Sequence, residues 1–439
     1  MFQAGFARVD ITPPLGSPLA GYSKVRISDH ILDPIELNCV AFSDGENTAV
    51  LITEDLLYVM ENVATELRAK IAKRCGIPAD HVFMQGLHQH TSLRIGTRPH
   101  VWGPGFNDKT YLDVLYRKFC DVAQLAIADL KDAELLQAEA QTPEPLSFIR
   151  RYRMKDGSFV TNPGRGNPDV LGPLDEADNT VRLLRFKRKD ADDIALVNFS
   201  CHPDVIGGTG FSADWPGFVR RYTETALDGV KCILVNGAQG DSNHINPLRN
   251  KEEELLRRGY KHADFMGKMI SDTAVSLWEK GVPMETGRVW GKVEMLYNAT
   301  NTTGIERTLE CQQIRAEIAR GERPQFKTST EIASNARIAE IQKELIFQKV
   351  PVSVLCIGKA GFVGFGGEPF TRYATNAREV GAPMYIVTAC LTNGGQGYLP
   401  TARAFEEGGY EAGSSRFTPT LEQEAKDCVK KLLDEYKSL

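Results

Sequence analysis

Two apolar runs that end in histidine constrain this chain most. The first is Val82-Phe83-Met84-Gln85-Gly86-Leu87-His88-Gln89-His90. The second is Ile194-Ala195-Leu196-Val197-Asn198-Phe199-Ser200-Cys201-His202-Pro203. Short apolar runs closed by turn formers read as buried strands, which puts the closing polar residues at the carboxyl edge of a sheet. Open α/β sheets hold ligands and catalytic groups at that edge. If the extended backbone continues, His88 and His90 project to one side. The chain has only 8 His, and three of them occupy these two strand ends. Imidazoles so placed are candidate ligands for a metal, zinc before others.

A chain of 439 residues can bury a large core. Its 42% hydrophobic and 25% charged residues fit a globular protein, and a net charge of −5 supplies no basic field for nucleic acid or an anionic membrane. No apolar stretch approaches the roughly 18 residues of a membrane span. The start, Met1-Phe2-Gln3-Ala4-Gly5-Phe6-Ala7-Arg8, has neither the basic nor the apolar part of a signal peptide. The 9 Cys are scattered, and Cys39, Cys201, Cys232, Cys356 and Cys390 lie in apolar runs. They read as small buried hydrophobes of a reducing compartment, and cytoplasm is the expected location.

Strand-like and helix-like segments alternate. Strands are expected at 36–43, 48–53, 81–87, 181–187, 194–200, 231–236, 287–297, 352–358, 361–366 and 384–390. Helices are expected at 61–75, 109–131, 215–229, 261–280, 307–320, 330–348, 369–379 and 420–437. In 109–131 the stripe is Leu112, Leu115, Phe119, Val122, Leu125 and Ala126; in 420–437 it is Leu421, Ala425, Val429 and Leu432. This alternation predicts an α/β fold of mixed β-sheets covered by helices. No linker divides the chain, so residues 1–439 are expected to form a single domain, with 298–332 as a peripheral helical excursion. Segments 91–108, 150–180 and 391–419 read as long irregular loops suited to binding.

Other segments carry chemistry as well. His202 is followed by Pro203, which holds it extended and ends the strand. By itself it fits a hydrogen-bonded structural residue as well as a ligand. Asn236-Gly237-Ala238-Gln239-Gly240-Asp241-Ser242-Asn243-His244 follows another apolar strand, and reads either as a ligand-approaching loop or as an Asx-rich turn. Phe365-Gly366-Gly367-Glu368-Pro369 reads as a glycine turn with Glu368 at a helix start, either a cap or a carboxylate for zinc. Tyr398 and Tyr410 follow glycines, and spacing alone does not separate loop packing from ligation.

Taken in order, these segments resemble the catalytic domain of the neutral/alkaline non-lysosomal ceramidases. Gly5-Phe6-Ala7-Arg8-Val9-Asp10-Ile11-Thr12, followed by Gly21-Tyr22, is similar to that family's G-x-G-x-A-D-I-T and M-G-Y segments. Leu87-His88-Gln89-His90-Thr91 stands for T-H-T-H-S, and Cys201-His202-Pro203 for x-H-P. Gly240-Asp241 resembles the start of G-D-V-S-P-N, Gly367-Glu368 the P-G-E segment, and Gly397-Tyr398 with Tyr410 the G-Y-x-x-T-x-E-x-Y-E region. The resemblance implies a neutral-ceramidase-like fold with zinc held by His88, His202, Glu368 and Tyr398. It also implies substrate or proton roles for His90, Arg151 and Tyr410. The departures are Thr91-Ser92-Leu93 after the second histidine and the added His244 within the glycine loop, a candidate partner to a ligand, acid–base group or ligand of a second metal. The family's C-terminal immunoglobulin-like domain is not expected within these residues, since 420–437 reads as a helix. Arg150, Arg153 and Arg165 would suit a polar or anionic substrate better than a sphingolipid.

The resulting expectation is a zinc-dependent hydrolase of an amide, or of an ester or lactone, in a polar small molecule. A ceramidase proper and a non-catalytic metabolite- or carbohydrate-binding protein on the same scaffold are the rivals. Neither nucleic acid nor stable membrane insertion is expected.

Overall fold

The structure is a computed structural model that describes residues 1–22, 26–96, 106–320, 322, 328–341 and 346–439. Its larger sheet takes β1 (Gln3–Asp10), β2 (Glu36–Ser43), β3 (Thr48–Glu54), β4 (Val82–Gly86), β5 (Lys131–Gln141), β6 (Thr180–Arg188), β7 (Asp193–Phe199) and β8 (Val230–Asn236). Their spatial order is β8-β7-β6-β5-β1-β2-β3-β4. The inner pairs are antiparallel, whereas β7 with β8 and β3 with β4 are parallel. A smaller sheet runs β9 (Val289–Ala299), β10 (Phe347–Ile357), β11 (Ala360–Phe365) and β12 (Tyr385–Ala389), ending in the parallel pair β11 with β12.

Strand alternation explains the layering. In β2, Leu37, Cys39 and Ala41 face one core while Val40 and Phe42 face another; in β3, Val50 and Ile52 part in the same way from Ala49 and Leu51. The first core receives α1 (Glu61–Cys75) and α2 (Lys109–Ala128), and the neighbouring half of the sheet receives α3 (Asp214–Ala226) and α4 (Tyr260–Leu277). The other face packs on the smaller sheet through Phe42, Phe83 and Phe186 against Leu355 and Phe362. Past that interface, α6 (Thr371–Gly381) and α7 (Leu421–Lys437) cover the smaller sheet, while α5 (Ser329–Ile341) lies toward the cavity described below. The order is helix, sheet, sheet, helix, as expected of an α/β fold with covered sheets.

Three parallel pairs are each joined through a helix: β3-α1-β4, β7-α3-β8 and β11-α6-β12. Their carboxyl ends are tied to each other. Gln85 Nε2 donates to the carbonyls of Asn236 (2.5 Å) and Cys390 (3.1 Å), and the Cys390 amide donates to Asn236 O at 3.0 Å. Both sheets therefore present their carboxyl edges at one end of the molecule.

Several expectations are corrected. Helix 109–131 stops at Ala128, because Lys131 opens β5, a central strand absent from the expected set; Leu125, placed on the buried stripe, is 53% exposed. The helix expected to 348 is described to Ile341, and Phe347 already belongs to β10; 342–345 lie outside the described residues. Segment 150–180 is not a loop, since Arg151–Met154 pairs with both Phe159–Thr161 and Val170–Pro173. Part of 91–108 lies outside the described residues. Eight of the nine cysteines are buried, and among the described residues no helix is long and apolar enough to cross a membrane.

Glu54, the last residue of β3, is 1% exposed and its Oε2 has no partner among the described residues. Burial pushes its pKa up from 4.5 to about 8. The unfolded carboxyl loses its proton near 4.5 and the folded one near 8, so this group's contribution is intact below 4.5 and is lost as pH rises to 8. Glu54→Gln should therefore raise the urea midpoint at pH 8 and leave it nearly unchanged at pH 4. An equal offset at both pH values would contradict this.

Candidate metal centre

His88 does not continue the strand. Its φ of 79° turns the chain into the left-handed region, a conformation a histidine holds only when the surroundings fix it. They do so through the segment after β3. Leu87 N donates to Glu54 O and His88 N to Leu56 O, both at 2.9 Å, and Gln89 Nε2 donates to Asp55 Oδ1 at 2.9 Å. The expected one-sided extended pair is thus corrected, yet the turn still brings the rings together, with Nε2 atoms 3.4 Å apart.

His202 meets them from β7. Its Nε2 lies 3.1 Å from that of His88, and its Nδ1 lies 3.2 Å from Gln239 O. Asn236 spans the two histidine strands, donating to Leu87 O (3.2 Å) and accepting from Cys201 N (3.3 Å). Glu368 arrives from the smaller sheet, its Oε2 3.3 Å from His88 Nε2 and 3.7 Å from His202 Nε2. It does not sit at a helix start: α6 begins at Thr371, and Glu368–Pro369 forms a short strand in register with Tyr398–Leu399. Helix-dipole stabilisation of its charge is therefore replaced by direct contact with the imidazoles.

This donor set fits a divalent cation. His88 Nδ1 lies 3.1 Å from Leu57 O, so His88 and His202 both spend their Nδ1 hydrogens on carbonyls and direct Nε2 lone pairs inward. Glu368 Oε2 is buried without a hydrogen-bond donor. Converging lone pairs and an unpartnered carboxylate oxygen repel unless a cation lies between them. A tetrahedral shell with bonds of about 2.0–2.1 Å separates its donor atoms by roughly 3.3 Å, close to the spacings here. The potential ligand atoms of His88, His90 and His202 all lie within 4.8 Å of one another. Burial drives His202 well below its ordinary pKa and His90 down to about 3, which keeps both imidazoles neutral. His90 differs in one respect: among the described residues its Nδ1 has no hydrogen-bond partner.

The cluster opens on a cavity of about 500 Å³ that Arg150, Asp204, Tyr398 and Tyr410 also line. Arg150 Nε is 2.7 Å from Glu411 Oε1, Nη2 donates to Gly240 O at 2.8 Å, and the guanidinium lies 5.0 Å from the Tyr398 ring centre. The neighbouring Arg151 is turned away. It pairs with Glu407 at 3.1 Å and donates to Gly408 O, outside this cavity. Arg151, expected to contact substrate, thus lies outside this cavity while Arg150 lines it, because adjacent residues on an extended chain face opposite ways. Arg153 and Arg165 are not in the lining either. His244 is set behind the wall, 3.2 Å from Asp204. Burial alone would raise the Asp204 pKa, but the hydrogen bond and charge of His244 hold it well below the usual carboxylate range. Thr330 and Ile332 of the expected peripheral excursion line the cavity, so its end is not peripheral. Sequence reasoning assigned no role to Asp204 or Glu411, although each adjoins a residue it singled out.

Gly240 is constrained by contact. A Cβ there would lie 2.2 Å from Glu368 O and 3.0 Å from Pro369 O. Gly240→Ala should push Glu368 off the histidines, destabilise the fold by about 1–3 kcal/mol and weaken metal binding about 10–100-fold. Competition with a chromogenic chelator measures this, and unchanged affinity would contradict it.

No family model matches the sequence, and no curated protein does. Solved structures do. A neutral ceramidase from Pseudomonas aeruginosa superposes with a TM-score of 0.71 at 15% identity, covering 99% of this chain and 75% of that one. A structure described as ceramidase complexed with C2 gives 0.71 at 14% identity, covering 100% and 75%. The likeness is one of fold.

Proposed function

We propose that this chain is a zinc-dependent amide hydrolase, a single catalytic domain that acts on a polar acyl amide. His88, His202 and Glu368 hold the ion, with Tyr398, paired in register beside Glu368, as the fourth protein donor. The observation that carries the reading is the Glu368 carboxylate oxygen, buried and unpartnered among imidazole nitrogens whose other ring atoms are already committed. The fold shared with neutral ceramidases agrees with it. Zinc in such a shell lowers the pKa of its water toward neutrality and polarises a carbonyl.

The remaining residues supply binding and proton handling. His90, whose Nε2 faces the same centre, can hold or release a proton at that nitrogen. Burial raises the Tyr410 pKa, so its phenol stays a donor for a developing negative charge. Arg150, whose charge Glu411 balances and whose Nη2 donates to Gly240 O, gives that wall a fixed polar edge. Asp204 offers an ionised acceptor opposite, and Leu57, Ile332 and Ala333 supply aliphatic contact. A wall with this much charge favours a polar substrate over ceramide.

The test is hydrolysis of a panel of short acyl amides, esters, lactones and a short-chain ceramide, read as released acid. Amide cleavage that a chelator abolishes and zinc restores is expected. Stoichiometric zinc with no turnover of any member would instead favour a binding protein.

A further inference from the structure

Beyond the tyrosines lies a second cavity, of about 200 Å³, that shares Tyr58, Ala333, Tyr398 and Tyr410 with the first. Among the described residues its wall carries Arg337 and Arg416 beside the carboxylate Glu340. Arg416 pairs with Glu340, which also lies 3.9 Å from Arg315. That carboxylate is already committed.

Arg337, only 5% exposed, is the unusual member. Its terminal nitrogens donate to the backbone carbonyls of Asn301 (3.3 Å), Ser415 (3.4 Å) and Thr303 (2.6 Å), and its Nε has no partner among the described residues. No carboxylate among the described residues pairs with it. Burial holds its pKa down to about 10, the direction expected of a guanidinium short of counter-charge. A buried arginine normally faces an anion. Here the neighbouring space is a cavity that shares Tyr58, Ala333, Tyr398 and Tyr410 with the one at the metal centre.

We propose that this second cavity is an anion subsite: the substrate is an acidic acyl amide whose carboxylate, sulfate or phosphate group passes the Tyr398–Tyr410 pair and binds beside Arg337. The proposal rests on the amide-hydrolase reading for the placement of the scissile bond, but not for the binding itself. It also shifts the selection for negative charge away from Arg150, which Glu411 neutralises, and from Arg153 and Arg165, which do not line the metal-centre cavity.

Calorimetry on the full chain, zinc-loaded and chelated, would use hexanoyl amides of glycine, 4-aminobutyrate and 6-aminohexanoate, each beside its neutral N-methylamide. At least one acid should bind about tenfold or more tightly than its neutral partner. Added salt should erode that preference. Arg337→Gln should abolish it. Because Arg337 also pins three carbonyls, Ala336→Glu is a second variant: it places a competing carboxylate on the same wall and should abolish the preference as well. Equal binding of acid and neutral partners throughout the series, or a preference that survives both variants, would overturn the subsite. Acid preference without hydrolysis would refute the enzyme reading and leave the subsite standing; hydrolysis without acid preference would do the reverse.

Discussion

Protein purified from zinc-supplemented medium should carry about one equivalent of zinc, and the His88→Ala, His202→Ala double variant less than about a tenth of that. The expectation follows from the donors. Each imidazole is fixed at Nδ1 by a carbonyl, and removing both leaves Glu368 without the nitrogens that complete the shell. The variant should still fold, because both side chains lie beyond the ends of their strands and belong to none of the apolar clusters. The wild type should melt at a lower temperature after chelation, since a ligand bound only by the native state stabilises it. Elemental analysis and thermal melting read the two effects separately. Undiminished zinc in the folded double variant would refute the assignment.

Arg220→Ala should have the largest effect on stability, about 3–5 kcal/mol. Arg220 is 2% exposed and grips Asp55 with both terminal nitrogens, at 2.9 and 2.5 Å, while Nη2 reaches Glu36 at 3.2 Å. Asp55 is 0% exposed. Without the guanidinium, a buried carboxylate stands beside a second one. The consequence extends to the metal centre, because Asp55 also accepts from Gln89, the residue between His88 and His90. Urea denaturation should show the loss, and zinc affinity should fall with it. A shift under about 1 kcal/mol would mean that the pair merely breaks even with water.

The sequence made the histidine strands legible because they are apolar on both faces and end abruptly. The α1 span matches its expected bounds, and in α7 the buried positions Leu421, Ala425, Val429 and Leu432 were readable from period alone. β5 was not, since Lys-Asp-Ala-Glu-Leu-Leu-Gln-Ala-Glu-Ala-Gln is rich in helix formers, and its strand state comes from pairing with β6 over Ala133–Gln141. Which carboxyl edges converge was equally hidden. That depends on Gln85 and Asn236, buried polar residues inside apolar runs, whose partners lie some 150 to 305 positions away. That Arg150, not Arg151, lines the metal-centre cavity turned on a single step of alternation in a segment that looked irregular.

X-ray absorption at the zinc edge of the loaded protein tests the central claim most directly. We expect a low-coordinate nitrogen and oxygen shell at about 2.0–2.1 Å, with the outer scattering of two imidazoles and no sulfur. A thiolate shell near 2.3 Å, drawn from the nine cysteines, would contradict the account, as would an all-oxygen shell without imidazole.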